Sequence, residues 1–338
     1  MSGTMTRVGL AGAGWVSQHH LDAWSHLRHR PHGRATVVAI ADPDVSAARS
    51  RAAAYEIPSV YASVEAMLAG EELDAIDIAA PREAHAPICR MAAHHGLAIL
   101  CQKPLAPTLA EAEALVADVE GLVRLMVHEN WRFRPHYRRI HEWLRRGHLG
   151  DVRAVTMSIL TSGLLPDERK QLPAIVRQPM FRTLERFLLM EVLIHHVDTL
   201  RFLLGPFKLR DAVLKKRCPA TRGEDRVDLS LTTDAGAPVS VVGDFMAPGY
   251  PPDQFDRLEI TGTRGMITLE LNRLSLRGDI EEELVLDLPA NYKASYAGAI
   301  SHFVDRLSDG GAFETSPEDN LETLRIVEEA YERSRSWL

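Results

Sequence analysis

The stretch RVGLAGAGWVSQHH, Arg7 to His20, decides how the rest of the chain is read. It begins as a short apolar run of the kind a buried strand makes. Gly12 and Gly14 then take the first two positions of G-x-G-x-x-G, with Ser17 at the third. The first glycine allows a tight turn, and the second lets a pyrophosphate approach the backbone at a helix N-terminus. The third serves helix–strand packing, where serine is a small change. A glycine loop alone is a weak signal, but this one follows the first strand and opens a helix at Trp15. Gly12, Gly14, Trp15 and Val16 are therefore candidate cofactor-binding residues.

The next apolar run, VVAIAD, ends in Asp42. A carboxylate at that place accepts hydrogen bonds from both ribose hydroxyls and repels a 2′-phosphate. Pro43 and Asp44 follow, with no adjacent arginine, which favours NAD over NADP. The competing reading is that Asp42 only caps the next helix.

Strand-like and helix-like segments keep alternating: DVSAARSRAAAYE, LDAIDIAAP, EAHAPICRMAAHHG, LAILCQKP, TLAEAEALVADVE, LVRLMVHE. Gly96 caps one helix, and Thr108 with Glu111 opens another as a capping box. This alternation predicts an α/β fold, a Rossmann doubly wound parallel sheet, over residues 1–128. After about Gly150 strand-like runs succeed one another, from VRAVTMSI to ELVLDL, several alternating apolar and polar residues. They predict an α+β domain with a mostly antiparallel open sheet, residues 129–338, closed by the amphipathic helix PEDNLETLRIVEEAYERSRSWL. Few helical segments are left to cover that sheet. An apolar face left open would favour a homodimer or homotetramer.

Composition narrows the class. The length of 338 residues suits two domains, and the net charge of −7 gives no reason to expect nucleic acid. The basic run Arg132, Arg134, Arg138, Arg139, Arg145 and Arg146 reads first as a solvated helix face. Three cysteines at no metal-like spacing, and no H-E-x-x-H, speak against a disulfide framework or a metal site. No apolar run is long enough to span a bilayer, and no signal segment opens the chain, so a cytoplasmic protein without a membrane partner is expected.

Two segments carry chemistry. In AILCQKPLAP, Ala98 to Pro107, an amide and an ammonium, Gln102 and Lys103, end a buried strand. A lysine there costs solvation free energy unless its charge is used. FLLMEVLIHHVDTLRFLLG, Phe187 to Gly205, is apolar almost all round, yet holds Glu191, His195, His196 and Asp198. At 100° per residue Glu191, His195 and Asp198 share one face. Three ionisable groups on a buried stripe point to a site, with His195 suited to acid/base work near neutral pH. His196 points elsewhere. His128, Asn130 and Arg132 follow another strand and, with His196, complete the substrate-side candidates; an anionic substrate group and plain packing are both open for Arg132.

GLAGAGWVSQHH, VVAIADPD, IAAPREAHAPI, CQKPLAPTLAEAEALV, VHENWRFRP and EVLIHHVDTLRFLLG, taken in that order, resemble the glucose–fructose oxidoreductase/inositol dehydrogenase/rhizopine-catabolism (Gfo/Idh/MocA) superfamily along the whole chain. The resemblance implies a Rossmann domain followed by an α/β domain whose open sheet often forms a subunit interface. It also implies nicotinamide-dependent oxidation or reduction of a sugar or cyclic polyol. The family E-K-P motif coincides with Gln102-Lys103-Pro104, so Lys103 inherits the role of reaching the nicotinamide and the reacting hydroxyl. A family D-x-x-x-H pair coincides with Glu191 and His195, with the histidine as acid/base. APREAH coincides with a loop lining the nicotinamide, placing Pro81 and His85 near the cofactor. Gln102 for glutamate and Glu191 for aspartate depart from the family pattern. Two other readings stay open beside a dehydrogenase: a non-catalytic NAD-dependent sugar sensor, and a redox-neutral lyase or glycosidase with bound NAD.

Overall fold

The structure is a computed structural model and describes residues 5–28, 30 and 35–335. The chain divides into two compact units, residues 1–134 with 289–322, and residues 135–288 with 323–338.

The first unit is built on a six-stranded parallel sheet: β1 Thr6–Ala11, β2 Ala35–Ala41, β3 Ser59–Tyr61, β4 Ala75–Ile78, β5 Ala98–Gln102 and β6 Leu125–His128. The strand order β3-β2-β1-β4-β5-β6 is that of the Rossmann fold, reversing between β1 and β4. Its helices are α1 Trp15–Leu27, α2 Val45–Tyr55, α3 Val64–Gly70, α4 Arg82–His94 and α5 Leu109–Val119. Val8, Leu10, Ile40, Ile76, Ile99 and Leu100 are fully buried, as the strands of a parallel sheet covered on both faces should be. The capping residues behave as read: Thr108 Oγ1 accepts the Glu111 N–H at 3.2 Å, and Gly96 leaves α4 with φ +71°.

The second unit holds an eight-stranded sheet: β7 Val152–Leu160, β8 Phe207–Lys215, β9 Arg226–Thr233, β10 Pro238–Asp244, β11 Asp256–Gly262, β12 Gly265–Glu270, β13 Arg273–Gly278 and β14 Glu282–Val285. Its pairs are antiparallel except β7 with β10. Helices α6 Pro135–Arg145, α7 Pro173–Arg177 and α8 Ile194–Leu204 accompany it, with a π-helix, Leu188–Leu193, leading into α8. Two further helices, α9 Leu288–Asp309 and α10 Pro317–Arg335, follow the last strand.

Two expectations change. The sequence division at 128/129 put the whole C-terminal part with the second domain. Instead Tyr296, Ala299, Ile300, Phe303 and Val304 of α9 join the core of Val8, Leu10 and Trp24. Their i, i+3, i+4 spacing announces a buried face but not its partner. The second change concerns the open sheet. Val155, Met157, Val241, Leu229 and Ile260 face the core, while Thr156, Ser158, Ser240, Thr232 and Glu259 alternate with them on the other side. That face is mostly polar, so it does not supply the apolar surface on which the expectation of assembly rested.

Candidate active site

The glycine loop carries the geometry that its motif demands. Gly12 has φ +105°, and a Cβ there would lie 2.5 Å from the Ala79 carbonyl oxygen. Gly14 is the opposite case, with φ −68° and no atom within 4 Å of a Cβ. The α1 N-terminus has no side-chain cap and no acidic residue in its first turn. No side chain caps its leading N–H groups, those of Trp15 and Val16 among them, and beside the positive end of the helix dipole an uncapped start with open space at Gly14 suits a pyrophosphate. Ser17 is fully buried and donates to the Gly14 carbonyl at 2.7 Å, the packing role of the third glycine.

Asp42 turns back toward this loop. Its Oδ2 accepts the Ala13 N–H at 2.7 Å and its Oδ1 the Asp44 N–H at 2.8 Å. The cap of α2 is Asp44, which accepts from the N–H groups of Ser46 and Ala47. Asp42 is thus released from capping, and its oxygens retain lone pairs for ribose hydroxyls. Arg51 of α2, which sequence reading passed over, donates to the Gly14 carbonyl at 3.3 Å.

Lys103 follows the carboxyl end of β5, the same end of the parallel sheet at which the glycine loop leaves β1. Gln102 Oε1 accepts the Lys103 N–H at 2.7 Å. Pro81 precedes α4, and buried His85 lies between two carbonyls, Pro104 at 2.8 Å from Nδ1 and Ala80 at 2.9 Å from Nε2. A neutral imidazole has one N–H, so it donates to one of them at a time. Burial lowers the His85 pKa, and the two carbonyls resist. His85 thereby sits between the loop before Pro81 and the chain after Lys103, bonded to one of them at a time.

In the second unit the polar stripe is not one continuous α-helix. Glu191 lies half-buried in the π-helix, and His195 is buried in the first turn of α8. The wider turn breaks the 100° phasing between them, and π-turns are frequent at functional sites. Asp198 is engaged structurally, accepting from Thr323 Oγ1 at 3.1 Å. Glu224, unseen in the sequence reading, holds the start of the π-helix. It accepts from the N–H of Leu189 at 2.9 Å, the N–H of Phe187 at 3.3 Å and the Tyr331 hydroxyl at 2.7 Å. Burial pushes its carboxyl up despite these donors.

The substrate-side candidates have structural contacts. His196 Nε2 lies 3.0 Å from Asp256, whose other oxygen accepts from Tyr137 at 2.6 Å, so this histidine pins α8 to β11 and α6. His128 is fully buried with its ring centroid 4.3 Å from that of His20. Asn130 donates to Ser295 at 2.7 Å. Arg132 pairs with Asp319 at 2.6 Å and donates to the Glu314 carbonyl at 3.0 Å. Of the two readings left open for Arg132, packing is the one with geometry behind it. A further group escaped the sequence reading: Asp77, fully buried within β4, with His20 and Trp24 of α1 against it. A carboxylate inside an apolar strand is itself a signal, because buried charges are rare without partners.

The chain matches the oxidoreductase family with NAD-binding Rossmann fold over residues 6–128 and the GFO/IDH/MocA C-terminal domain over residues 137–268. It is 32% identical to the D-apiose dehydrogenase of Paraburkholderia graminis, across 96% of this chain and 87% of that protein. It is 28% identical to the inositol 2-dehydrogenase of Rhizobium meliloti, across 96% and 95%. A crystal structure of an oxidoreductase from Agrobacterium radiobacter in complex with NAD+, L-tartaric acid and magnesium matches with a TM-score of 0.89 at 28% identity, covering 99% of this chain and 98% of that one. Motif order, strand order and two matched domains agree, and the protein belongs to the Gfo/Idh/MocA oxidoreductase family.

Proposed function

We propose that the protein is an NAD-dependent dehydrogenase that oxidises a hydroxyl-bearing carbon of a sugar, sugar acid or cyclic polyol. The observation that carries this reading is Lys103. It places an ammonium-bearing side chain at the end of the sheet where an uncapped helix N-terminus suits a pyrophosphate. The relatives named D-apiose dehydrogenase and inositol 2-dehydrogenase support a polyhydroxylated substrate.

Gly12, Gly14, Trp15 and Val16 hold the pyrophosphate, Asp42 the adenosine ribose, and Pro81, His85 and Gln102 shape the nicotinamide side. Bound NAD supplies the hydride acceptor. His195 takes the hydroxyl proton as general base, and Glu191 orients it or binds a neighbouring hydroxyl. Lys103 donates a hydrogen bond to the same oxygen and stabilises its developing alkoxide character. Assembly as a homodimer or homotetramer belongs to the proposal on the family resemblance alone.

Lys103→Ala and His195→Ala test the roles. Each variant is expected to lose about 10²–10⁴-fold in kcat while NAD binding persists. Near-normal turnover in either contradicts the role assigned to that residue.

A further inference from the structure

We propose that Asp77, His20 and Gln102 form a buried relay of positioning residues that fixes the main chain at Lys103. Gln102 completes it because an amide can donate to His20 and accept from Lys103 at once. The functional consequence rests on the role proposed for Lys103.

The direction of every link follows from the one before it. The Lys103 main-chain N–H can only donate, so the side-chain atom 2.7 Å away is the Gln102 oxygen. The Gln102 amide nitrogen is then the atom 3.1 Å from His20 Nε2. That nitrogen also only donates, so His20 Nε2 presents its lone pair and the ring proton sits on Nδ1. Nδ1 lies 2.8 Å from Asp77 Oδ2, which accepts it. The same carboxylate oxygen accepts the Trp24 indole N–H at 2.6 Å. His20 and Asp77 are fully buried, Trp24 is 2% exposed and Gln102 7%. The His20 ring is flanked by His128 of β6, centroids 4.3 Å apart, and by Tyr296 of α9 at 5.4 Å. Four elements therefore hold the imidazole in place, and a fifth, β5, supplies the Gln102 amide that bonds to it.

This relay accounts for glutamine where the family has glutamate. A glutamate at 102 would still accept from the Lys103 N–H. Its second oxygen, however, would face the lone pair on His20 Nε2. The ring would have to bind a second proton or turn away from Asp77. The residue at 102 and the proton count of His20 are thus coupled, and this chain uses the neutral combination. His20 and Asp77 are fully buried and stand behind Gln102, on the side away from Lys103. The relay acts through Lys103, by fixing the peptide from which that side chain starts.

Two measurements test it. Nitrogen-15 NMR of histidine-labelled protein, with the His20 ring assigned by its loss in His20→Gln, is expected to show the neutral Nδ1–H tautomer. The same ring is expected to be doubly protonated in Gln102→Glu. A wild-type ring protonated at Nε2 overturns the relay. In the kinetic arm, Gln102→Leu removes both hydrogen bonds, and kcat at full NAD occupancy is expected to fall by up to about 100-fold. Asp77→Asn keeps an accepting oxygen and should retain most of kcat, whereas Asp77→Leu should not. Wild-type kcat in Gln102→Leu at full NAD occupancy overturns the positioning role. The NMR arm needs no turnover, so it decides the relay even if no carbohydrate proves to be a substrate.

Discussion

The Glu224 carboxylate accepts the main-chain N–H of Leu189 at 2.9 Å, where the π-helix carrying Glu191 begins. One buried acid, more than thirty residues further along the chain, therefore holds the segment that leads into His195. Burial raises the Glu224 pKa from its ordinary 4.5, against the pull of Tyr331 and the main-chain donors. A raised acid binds its proton more tightly in the folded state than in the unfolded chain. Its contribution to stability is full below 4.5 and is lost as pH rises through the raised value. Glu224→Gln cannot ionise, so its melting temperature relative to wild type should climb over that window. Parallel melting curves across pH would contradict the assignment. Glu224→Ala leaves the N–H groups of Phe187 and Leu189 without this acceptor and should cost about 1–3 kcal/mol.

The two glycines of the loop should separate folding from binding. Gly12→Ala forces a side chain onto a φ of +105° and against the Ala79 carbonyl, and should destabilise the protein by about 1–3 kcal/mol or more. Gly14→Ala has ordinary φ and open space, so its melting temperature should stay near wild type. If a pyrophosphate approaches there, NAD affinity should nevertheless fall. Calorimetric binding with thermal melts checks both, and unchanged NAD affinity in Gly14→Ala would move the cofactor elsewhere.

The Asp42 side chain turns back toward the glycine loop, accepting from the Ala13 and Asp44 N–H groups, and the role proposed for it at the adenosine ribose carries a test. We expect NAD to bind tighter than NADP by about tenfold or more, the cost of bringing like charges together. Titration with both cofactors checks this, and equal affinities would remove the role given to Asp42.

Local signals were readable from the sequence, and long-range ones were not. Apolar runs marked the buried strands, and the Thr108–Glu111 spacing marked a helix start, because both depend on near neighbours. β3 is only three residues long and is held by pairing with Ala39–Ala41, so it leaves no periodic trace. The stripe Glu191–His195 was legible as chemistry, but its phasing was not. Glu224 bonds the main chain where the π-turn begins, and no periodicity connects the two. His128, Asn130 and Arg132 were visible as polar residues after a strand. Their contacts with His20, Ser295 and Asp319 come from packing between distant segments. Likewise, Asp77 and His20 are fifty-seven residues apart, and only the fold makes them a pair.

The central claim is net hydride transfer from a hydroxyl-bearing carbon of a carbohydrate to NAD, and the most direct measurement is NADH absorbance with purified protein. NAD would be offered with a panel of polyols, aldoses and sugar acids, including D-apiose and inositol, with product analysis alongside. The account predicts that NADH accumulates with at least one of them, in equal amount to the oxidised product. Tight NAD binding with no product from any of the panel would support a sensor instead. Product formed without NADH would mean a redox-neutral cycle, and either result would contradict the dehydrogenase reading.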